Sequence, residues 1–329
     1  MVRNILAIDW AAILNEALGD VAAAALPPTM SLPALPLAVT QFVQKSNDPK
    51  TEIKDLAKIV ETDSGLTVEL LKHVNSAFVG MRTKAGSVLQ ALSLLGLRPS
   101  KNLLITVGTK AAVQARQSKL INQNCFWNAA MQKALFAQEV AALLKTDQDV
   151  AFAGALLQDY LLPVVTNELY DDYLEFIKTR DRQAVNMCEF EQSMFGWDHC
   201  LAGAGLAHRW KLPDDLVCCI LFHHQGLEIL GHPQLGRSPA AAVALSALLP
   251  DQLRQCYQGL EQLLLLEQKW PAFNLRALAE KVDAKQAESG VKVHNDFPLT
   301  RRCKTVLNQD ANNADGTIKS GPRPALAKA

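Results

Sequence analysis

The spacing of apolar residues predicts helices along most of the chain. Four residues of one segment recur at i, i+3, i+4 and i+7, which places them on one face of a helix. They are Ile53, Leu56, Ala57 and Val60. Two longer segments, FWNAAMQKALFAQEVAALL from Phe126 and LPDDLVCCILFHH from Leu212, predict further helices. Residues 33 to 113 lack the apolar–polar alternation of a half-buried strand, so the pattern favours an all-α fold.

Capping signals mark where several of these helices begin and end. Asp63 is placed to cap the helix that follows it, and Ser87 with Gln90 forms a capping box. Gly96 stands where the helix that begins at Ser87 is expected to end. The run AFAGALLQDYLLPVV, residues 151–165, predicts a buried helix that ends near Pro163.

The order of these elements predicts five parts. Residues 1–24 have the pattern of an amphipathic helix and are followed by an Ala- and Pro-rich connection. Residues 300–329 hold six basic and two acidic residues among Gly, Pro and Asn, which is typical of a disordered tail. The predicted parts are an N-terminal helical extension (1–26), a first helical lobe (27–115), a second helical lobe (116–237), a C-terminal helical segment (238–300) and a disordered basic tail (301–329).

Composition and charge narrow the function classes. The 329 residues contain 33 Lys and Arg and 33 Asp and Glu, so net charge indicates neither nucleic acid nor a membrane surface as partner. The seven Cys form no C-x-x-C pair, which favours a reducing, cytoplasmic setting. Charged residues interrupt the N-terminal apolar segment, which argues against a signal peptide, and no apolar run is long enough for a membrane span.

Titratable residues concentrate in the predicted second lobe. Imidazoles and carboxylates on neighbouring helices can hold a metal ion, which lowers the pKa of a bound water for hydrolysis. Alternatively, each is a hydrogen-bonded residue of the core or of a helix end, and composition alone favours this interpretation. The residues in question are Asp159, Glu189, Glu191, Asp198, His199, His208, His223 and His224.

The order of several segments resembles the HDOD domain, the signalling branch related to the HD metal-dependent phosphohydrolases. The segments include HVNSAF, LLGL, FWNAA, GALLQDYLL, DHCLAGAGLAHRWKLPDDL and a following HH doublet. Together they span about residues 27–235. The resemblance implies an all-α, two-lobed helical bundle of HDOD or HD-like type, with an extra N-terminal helix and extra C-terminal helices.

The resemblance also implies a degenerate metal site. In HD-type enzymes a His-Asp doublet lies on the buried helix that here carries Gln158 and Asp159. An earlier ligand histidine of the family falls at Ala129, whose methyl group cannot bind a metal. The positions that still match are Asp159, His199, His223 and His224. We therefore expect no functional metal, and we expect Asp159 to hydrogen-bond one of the three histidines as a remnant of the ligand set.

These observations favour a cytoplasmic, bacterial-type signal-transduction protein that binds a signalling protein or a small effector without catalysis. The predicted binding site is a groove between the lobes, with His73, Asn75 and Ser76 on one side and His199 and His223 near the other. The three residues of the first lobe equally suit structural roles in a turn or a cap. The oligomeric state is left open.

Two alternatives remain at this stage. One is an HD-type phosphohydrolase that holds Fe, Mn or Zn on the four matching ligands. The other is a scaffold in which the N-terminal helix and the C-terminal segment bind the partner. DNA recognition by the segment SVLQALSLLGLRPSKNLLITVG is not favoured, because most of its second helix is apolar.

Overall fold

The computed structural model describes residues 8–19, 30–76, 84–114, 118–288 and 297–307. These residues form seventeen α-helices and three short 3-10 turns, without a β-strand among them. The predicted all-α class is thereby confirmed. None of the helices that these residues form has both the length and the apolar character required to cross a membrane.

The N-terminal extension and the first lobe contain six helices. They are α1 (Trp10–Leu18), α2 (Leu37–Lys45), α3 (Ile53–Glu61), α4 (Ser64–Val74), α5 (Val88–Leu95) and α6 (Leu97–Gln114). The side chain of Asp63 caps α4 at 3.0 Å from the Leu66 amide, and that of Ser87 caps α5. Of the predicted 1–24 helix, only Trp10–Leu18 is helical among described residues, and residues 20–26 lie outside them.

The second lobe is built around a long buried helix. Its helices are α7 (Gln123–Leu144), α8 (Gln148–Leu157), α9 (Leu162–Glu168), α10 (Tyr170–Gln183), α11 (Met187–Phe195), α12 (His199–Arg209) and α13 (Asp214–Leu221). α7 is buried on nearly all sides, because α8 packs along one face and the C-terminal helices pack along others. α1 packs on α13 and buries Leu14 and Leu18.

The prediction of one helix over residues 151–165 that ends near Pro163 is wrong. α8 ends at Leu157, Asp159 lies in the turn that follows, and α9 begins at Leu162. Pro163 starts the second helix rather than stopping the first, because the first turn of a helix does not use the amide hydrogen that proline lacks. His223 also lies beyond its predicted helix, in the 3-10 turn His223–Gln225 after α13.

The C-terminal helices complete the core of the second lobe. They are α14 (Pro239–Ala247), α15 (Gly259–Lys269), α16 (Leu275–Glu288) and α17 (Leu299–Arg302). α14 is buried along its whole length, and α16 packs on α7. Cys303, Val306 and Leu307 are buried as well, so the predicted tail begins too early. Residues 308–329 lie outside the described residues.

Arg98 connects the two lobes at the surface. It lies at the start of α6, and its guanidinium is 2.6 Å from a carboxylate oxygen of Asp147 and 3.3 Å from one of Asp215. Both partners stand at N-termini, of α8 and α13. Beneath this bridge, α6 packs on α8, and a cavity of about 580 Å³ remains between the lobes.

Candidate functional site

Three of the predicted ligand residues meet in the core of the second lobe. Asp159 follows α8, His199 begins α12, and His223 follows α13, so helix ends bring the three side chains together. Asp159 Oδ1 is 3.2 Å from His223 Nε2 and 3.5 Å from His199 Nε2. The two imidazole Nε2 atoms are 3.3 Å apart. The predicted contact between Asp159 and a histidine is therefore confirmed.

The other nitrogen of each imidazole is fixed by an acceptor. His199 Nδ1 is 2.6 Å from Glu191 Oε2, and His223 Nδ1 is 2.6 Å from the Ile220 carbonyl oxygen. A carboxylate and a carbonyl accept but do not donate, so we assign the Nδ1 proton to both rings. Both Nε2 atoms then face Asp159, an orientation that outer partners also impose on metal-bound histidines.

Three acceptor atoms that converge in this way need a positive charge or a proton between them. Burial disfavours a charged imidazole, but the charge of Glu191 and the hydrogen bond to Asp159 outweigh it and raise the pKa of His199 well above its ordinary value. Glu191 is itself fully buried and accepts further hydrogen bonds from the His199 amide and the Tyr173 hydroxyl. A protonated His199 can thus donate to Asp159 and His223.

A lysine that sequence analysis missed supplies a second positive charge. Lys133 lies in α7 with a side-chain exposure of 2%, and its ammonium is 2.9 Å from Asp159 Oδ2 and 2.9 Å from Asp251 Oδ2. Burial favours the neutral amine, but the two carboxylates outweigh it and raise the pKa of Lys133 above the usual value for lysine. The same charge, with the hydrogen bond from His199, holds the pKa of Asp159 well below its usual range despite its burial.

Lys133 stands one helical turn after Ala129, where the resemblance to HD-type enzymes predicts a ligand histidine. Residues four apart lie on the same face of a helix, so the lysine side chain reaches the space beside the Ala129 methyl group. A cavity of about 20 Å³ remains there, bordered by Ala129, Lys133, Asp159 and Asp251. Such a volume holds about one water molecule.

Gln158 belongs to the same network. Its amide nitrogen donates to Asp159 Oδ2 at 3.1 Å, and its amide oxygen accepts from the Ser246 hydroxyl at 3.3 Å. Gln158 therefore supports the carboxylate as a hydrogen-bond donor, a role that a neutral amide fills better than it fills that of a metal ligand.

His224 is engaged elsewhere, although one of its nitrogens lies within 4.8 Å of the other three donor atoms. Its Nε2 is 3.1 Å from Gln255 Oε1, and its Nδ1 is 3.4 Å from Cys256 Sγ. Burial, with the neighbouring imidazoles, holds the pKa of His224 well below its ordinary value. Two thiols also adjoin the cluster, with Cys188 Sγ 3.6 Å from Cys200 Sγ.

Taken together, these residues do not fit the metal that the HD resemblance implies. Ala129 supplies no ligand, Gln158 is committed to Asp159, and both nitrogens of His224 have other partners. The ammonium of Lys133 would also repel a divalent cation bound to Asp159, by several kcal/mol at the effective dielectric of protein sites. The thiols offer no separate site, because a metal there would take His199 or His224 from its present partners.

The first-lobe residues have separate roles. The Asn75 side chain donates to the Ala85 carbonyl at 2.9 Å and accepts from the Ala85 amide at 2.7 Å, and Ser76 donates to the His73 carbonyl at 2.7 Å. These contacts favour the structural interpretation of Asn75 and Ser76. His73 alone of the three borders the interlobe cavity.

One wall of the predicted groove is wrong, namely the wall near His199 and His223. Both imidazoles are buried inside the second lobe and do not reach the interlobe cavity. α7 and α8 form that wall instead, where Trp127 and Phe152 face the first lobe.

Comparisons with known proteins agree with this fold. The HDOD domain model matches residues 32–226, more than half of the chain. An uncharacterized protein of Treponema pallidum (strain Nichols) is 26% identical over 195 residues, which make up 59% of this chain and 37% of that protein. The chain therefore spans little more than a third of that relative's length.

Solved structures show the same architecture. An HDOD domain protein of unknown function from Geobacter sulfurreducens is 19% identical, with a TM-score of 0.58 and coverage of 92% of this chain and 96% of that one. A protein of Shewanella amazonensis SB2B, for which phosphohydrolase activity has been proposed, is 18% identical, with a TM-score of 0.55 and coverage of 93% and 95%. At these identities the likeness shows the fold alone. With the domain match over residues 32–226, it establishes that the chain belongs to the HDOD family.

Proposed function

We propose that this HDOD protein acts in signal transduction without catalysis, by binding a small effector or a signalling protein. The observation that carries the proposal is the buried ion pair of Lys133 with Asp159. A fixed ammonium satisfies the carboxylate that holds metal in HD-type enzymes. The pair thus opposes binding of the metal ion that would activate water for attack on a phosphoester.

The cluster suits a structural role. Lys133 on α7, Asp159 after α8 and Asp251 after α14 join three segments that are distant in sequence, through two contacts of 2.9 Å. Hydrogen-bonded polar networks rigidify a core, and the loss of one member leaves its partners unpaired at a cost in stability. The seven free thiols support a reducing, cytoplasmic setting.

Metal analysis combined with a hydrolysis assay tests the proposal. We would purify the full chain without a metal-binding tag, measure its metal content by elemental analysis and assay bis(p-nitrophenyl) phosphate with added Mn²⁺. We expect negligible metal and hydrolysis no faster than that of the His223→Ala variant. A full equivalent of Fe, Mn or Zn, with hydrolysis that Asp159→Ala abolishes, would overturn the proposal.

The phosphohydrolase alternative has one observation in its favour. Asp159 Oδ1, His199 Nε2 and His223 Nε2 lie 3.2 to 3.5 Å from one another, as donors around a single cation do. We assign this central position to the proton of His199, because Lys133 already neutralises the carboxylate from its other side. The metal analysis decides between the two assignments.

A further inference from the structure

The cavity between the lobes has the size and lining of a small-molecule site. Its volume of about 580 Å³ lies within the range of roughly 300 to 1,000 Å³ that such sites occupy. Apolar side chains from both lobes line most of it, and a few polar groups point in from α4, α6 and α8. The larger apolar side chains include Leu95, Leu103, Val107, Trp127, Met131 and Phe152.

One buried polar group in this lining has no partner. Asn102 on α6 is 7% exposed, and its amide nitrogen makes no hydrogen bond. A buried amide donor without an acceptor costs about 1 to 3 kcal/mol, so an acceptor atom on a ligand would recover part of that loss. Asn102 therefore selects for a carbonyl or a ring nitrogen.

The outer part of the lining carries a lysine that lacks a carboxylate partner. The Lys110 ammonium lies 5.5 Å from the centre of the Trp127 ring, and no carboxylate of the described residues lies within 4.0 Å of it. Two acidic residues also border the cavity. Glu69 is paired with Lys72 at 2.8 Å, and its charge also favours the charged form of Lys110. Asp149 lies in the first turn of α8, and burial with the neighbouring charge of Asp147 raises its pKa.

The spacing of these groups limits the shape of a ligand. Asn102 and Lys110 are eight residues apart on α6, which is about 12 Å along a helix axis. Trp127 lies on the opposite wall, and its indole nitrogen is already bound to Gln123, so the ring offers an apolar surface. A ligand that satisfies both polar groups is elongated and has an acceptor at one end and a negative charge at the other.

We propose that this cavity binds a small aromatic anion: a flat ring with an acceptor atom for Asn102, joined to a phosphate, sulfate or carboxylate for Lys110. The inference deepens the proposed function, on which it rests, by naming the chemical class of the effector. It does not use the Asp159 cluster, which lies deeper in the second lobe and does not border the cavity.

Calorimetric titration with 4-methylumbelliferyl phosphate tests the inference. This probe has a lactone carbonyl at one end of a flat ring and a phosphate at the other. Two matched compounds each lack one feature: 7-methoxy-4-methylcoumarin has no charge, and 2-naphthyl phosphate has no carbonyl. The full chain should bind the complete probe about ten-fold more tightly than either compound.

Two variants assign the groups. Lys110→Met should abolish the preference for the probe over the uncharged coumarin, and Asn102→Leu should abolish the preference over naphthyl phosphate. Lys58→Met, which removes an exposed lysine from α3, should change neither preference. Because Lys110 is outside the core, its variant decides the question even if Asn102→Leu fails to fold.

The outcomes separate this inference from the proposed function. Absence of measurable binding, or preferences that neither variant alters, would overturn the aromatic-anion site and leave the non-catalytic assignment standing. Release of fluorescent 4-methylumbelliferone that stops in Asp159→Ala would instead count against the non-catalytic assignment. Binding that Lys110→Met weakens would still support the cavity site in that case.

Discussion

Asp159 in the buried cluster and Asn102 in the cavity between the lobes differ in how completely their side chains are satisfied. In the cluster, Asp159 contacts Lys133, Gln158 and His223, and the adjoining space is about 20 Å³. In the cavity, Asn102 has an unpartnered amide and the space is about 580 Å³. The difference supports our proposals that the Asp159 cluster is structural and that a ligand binds between the lobes.

Lys133→Met should have the largest effect on the cluster. The variant keeps an apolar stem of similar length but leaves Asp159 and Asp251 buried without their cation. Removal of one partner from a buried ion pair costs about 3 to 5 kcal/mol. Thermal unfolding of the variant should therefore begin well below that of the wild type.

Lys281→Met is the matched control. Lys281 is also paired with a carboxylate, that of Glu139, but 64% of its side chain is exposed. An exposed pair contributes about 0 to 1 kcal/mol, so this variant should unfold close to the wild type. Equal unfolding of the two variants would contradict the structural importance of the buried ammonium.

Asp159→Ala should destabilise the protein less than Lys133→Met. Lys133 keeps Asp251 as a partner, but His199 and Gln158 lose an acceptor. The expected cost is about 1 to 3 kcal/mol, measured as a change in the free energy of unfolding by urea. Unchanged stability and unchanged metal content in this variant would contradict the hydrogen-bonded cluster.

Two substitutions on α7 test how much free volume lies beside the Asp159 cluster and how much lies in the interlobe cavity. Ala129→Leu adds volume where about 20 Å³ is free, and overpacking should cost about 1 to 3 kcal/mol. Met131→Trp adds volume on the interlobe side, where the cavity can accommodate it. It should cost less than about 1 kcal/mol and weaken binding of 4-methylumbelliferyl phosphate about ten-fold. A larger loss of stability in Met131→Trp than in Ala129→Leu would contradict this difference in free volume.

The smallest expected effect is that of acidic pH on the affinity of the interlobe cavity for an anion. Burial lowers the pKa of His73, so this imidazole is neutral near pH 7 and gains its charge only as the pH falls below about 6.5. The added positive charge should strengthen binding of an anion about two-fold between pH 7 and pH 5.

4-Methylumbelliferyl sulfate is the suitable probe for this pH series, because its charge is constant over the range. Protonation of Asp149, whose pKa is raised by burial and by Asp147, acts in the same direction. Glu69 and Lys110 also border the cavity. The variant His73→Asn isolates the contribution of the imidazole, and an identical pH dependence in this variant would rule it out.

The sequence predicts local structure better than it predicts the site. Caps such as Asp63 and the apolar stripe that ends at Val60 depend on neighbours within one helix, so their pattern is visible in the sequence. The turn at Asp159 was missed because an apolar run gives no sign of where one buried helix ends and the next begins. Pro163 was misassigned because proline suits a first helical turn as well as a break.

Lys133 shows why the site itself escaped prediction. A lysine within an apolar helix usually extends its charge to the surface, and only its environment shows otherwise. α7 is covered on nearly all sides, and Asp251 lies 118 residues further along the chain, so the ion pair depends on tertiary packing. The signal available in the sequence was the spacing of Lys133 from Ala129, one turn away on the same helix face.

Zinc uptake by the wild type and by Lys133→Met tests the central claim most directly. The two proteins would be dialysed to equilibrium against the same Zn²⁺ solution, at a temperature where both are folded, and their bound zinc measured. The wild type should bind no zinc at the cluster. Lys133→Met should take up about one equivalent, because Asp159, His199 and His223 still converge and the fixed positive charge is gone. Zinc bound to the wild type in a manner that requires Asp159 would contradict the account.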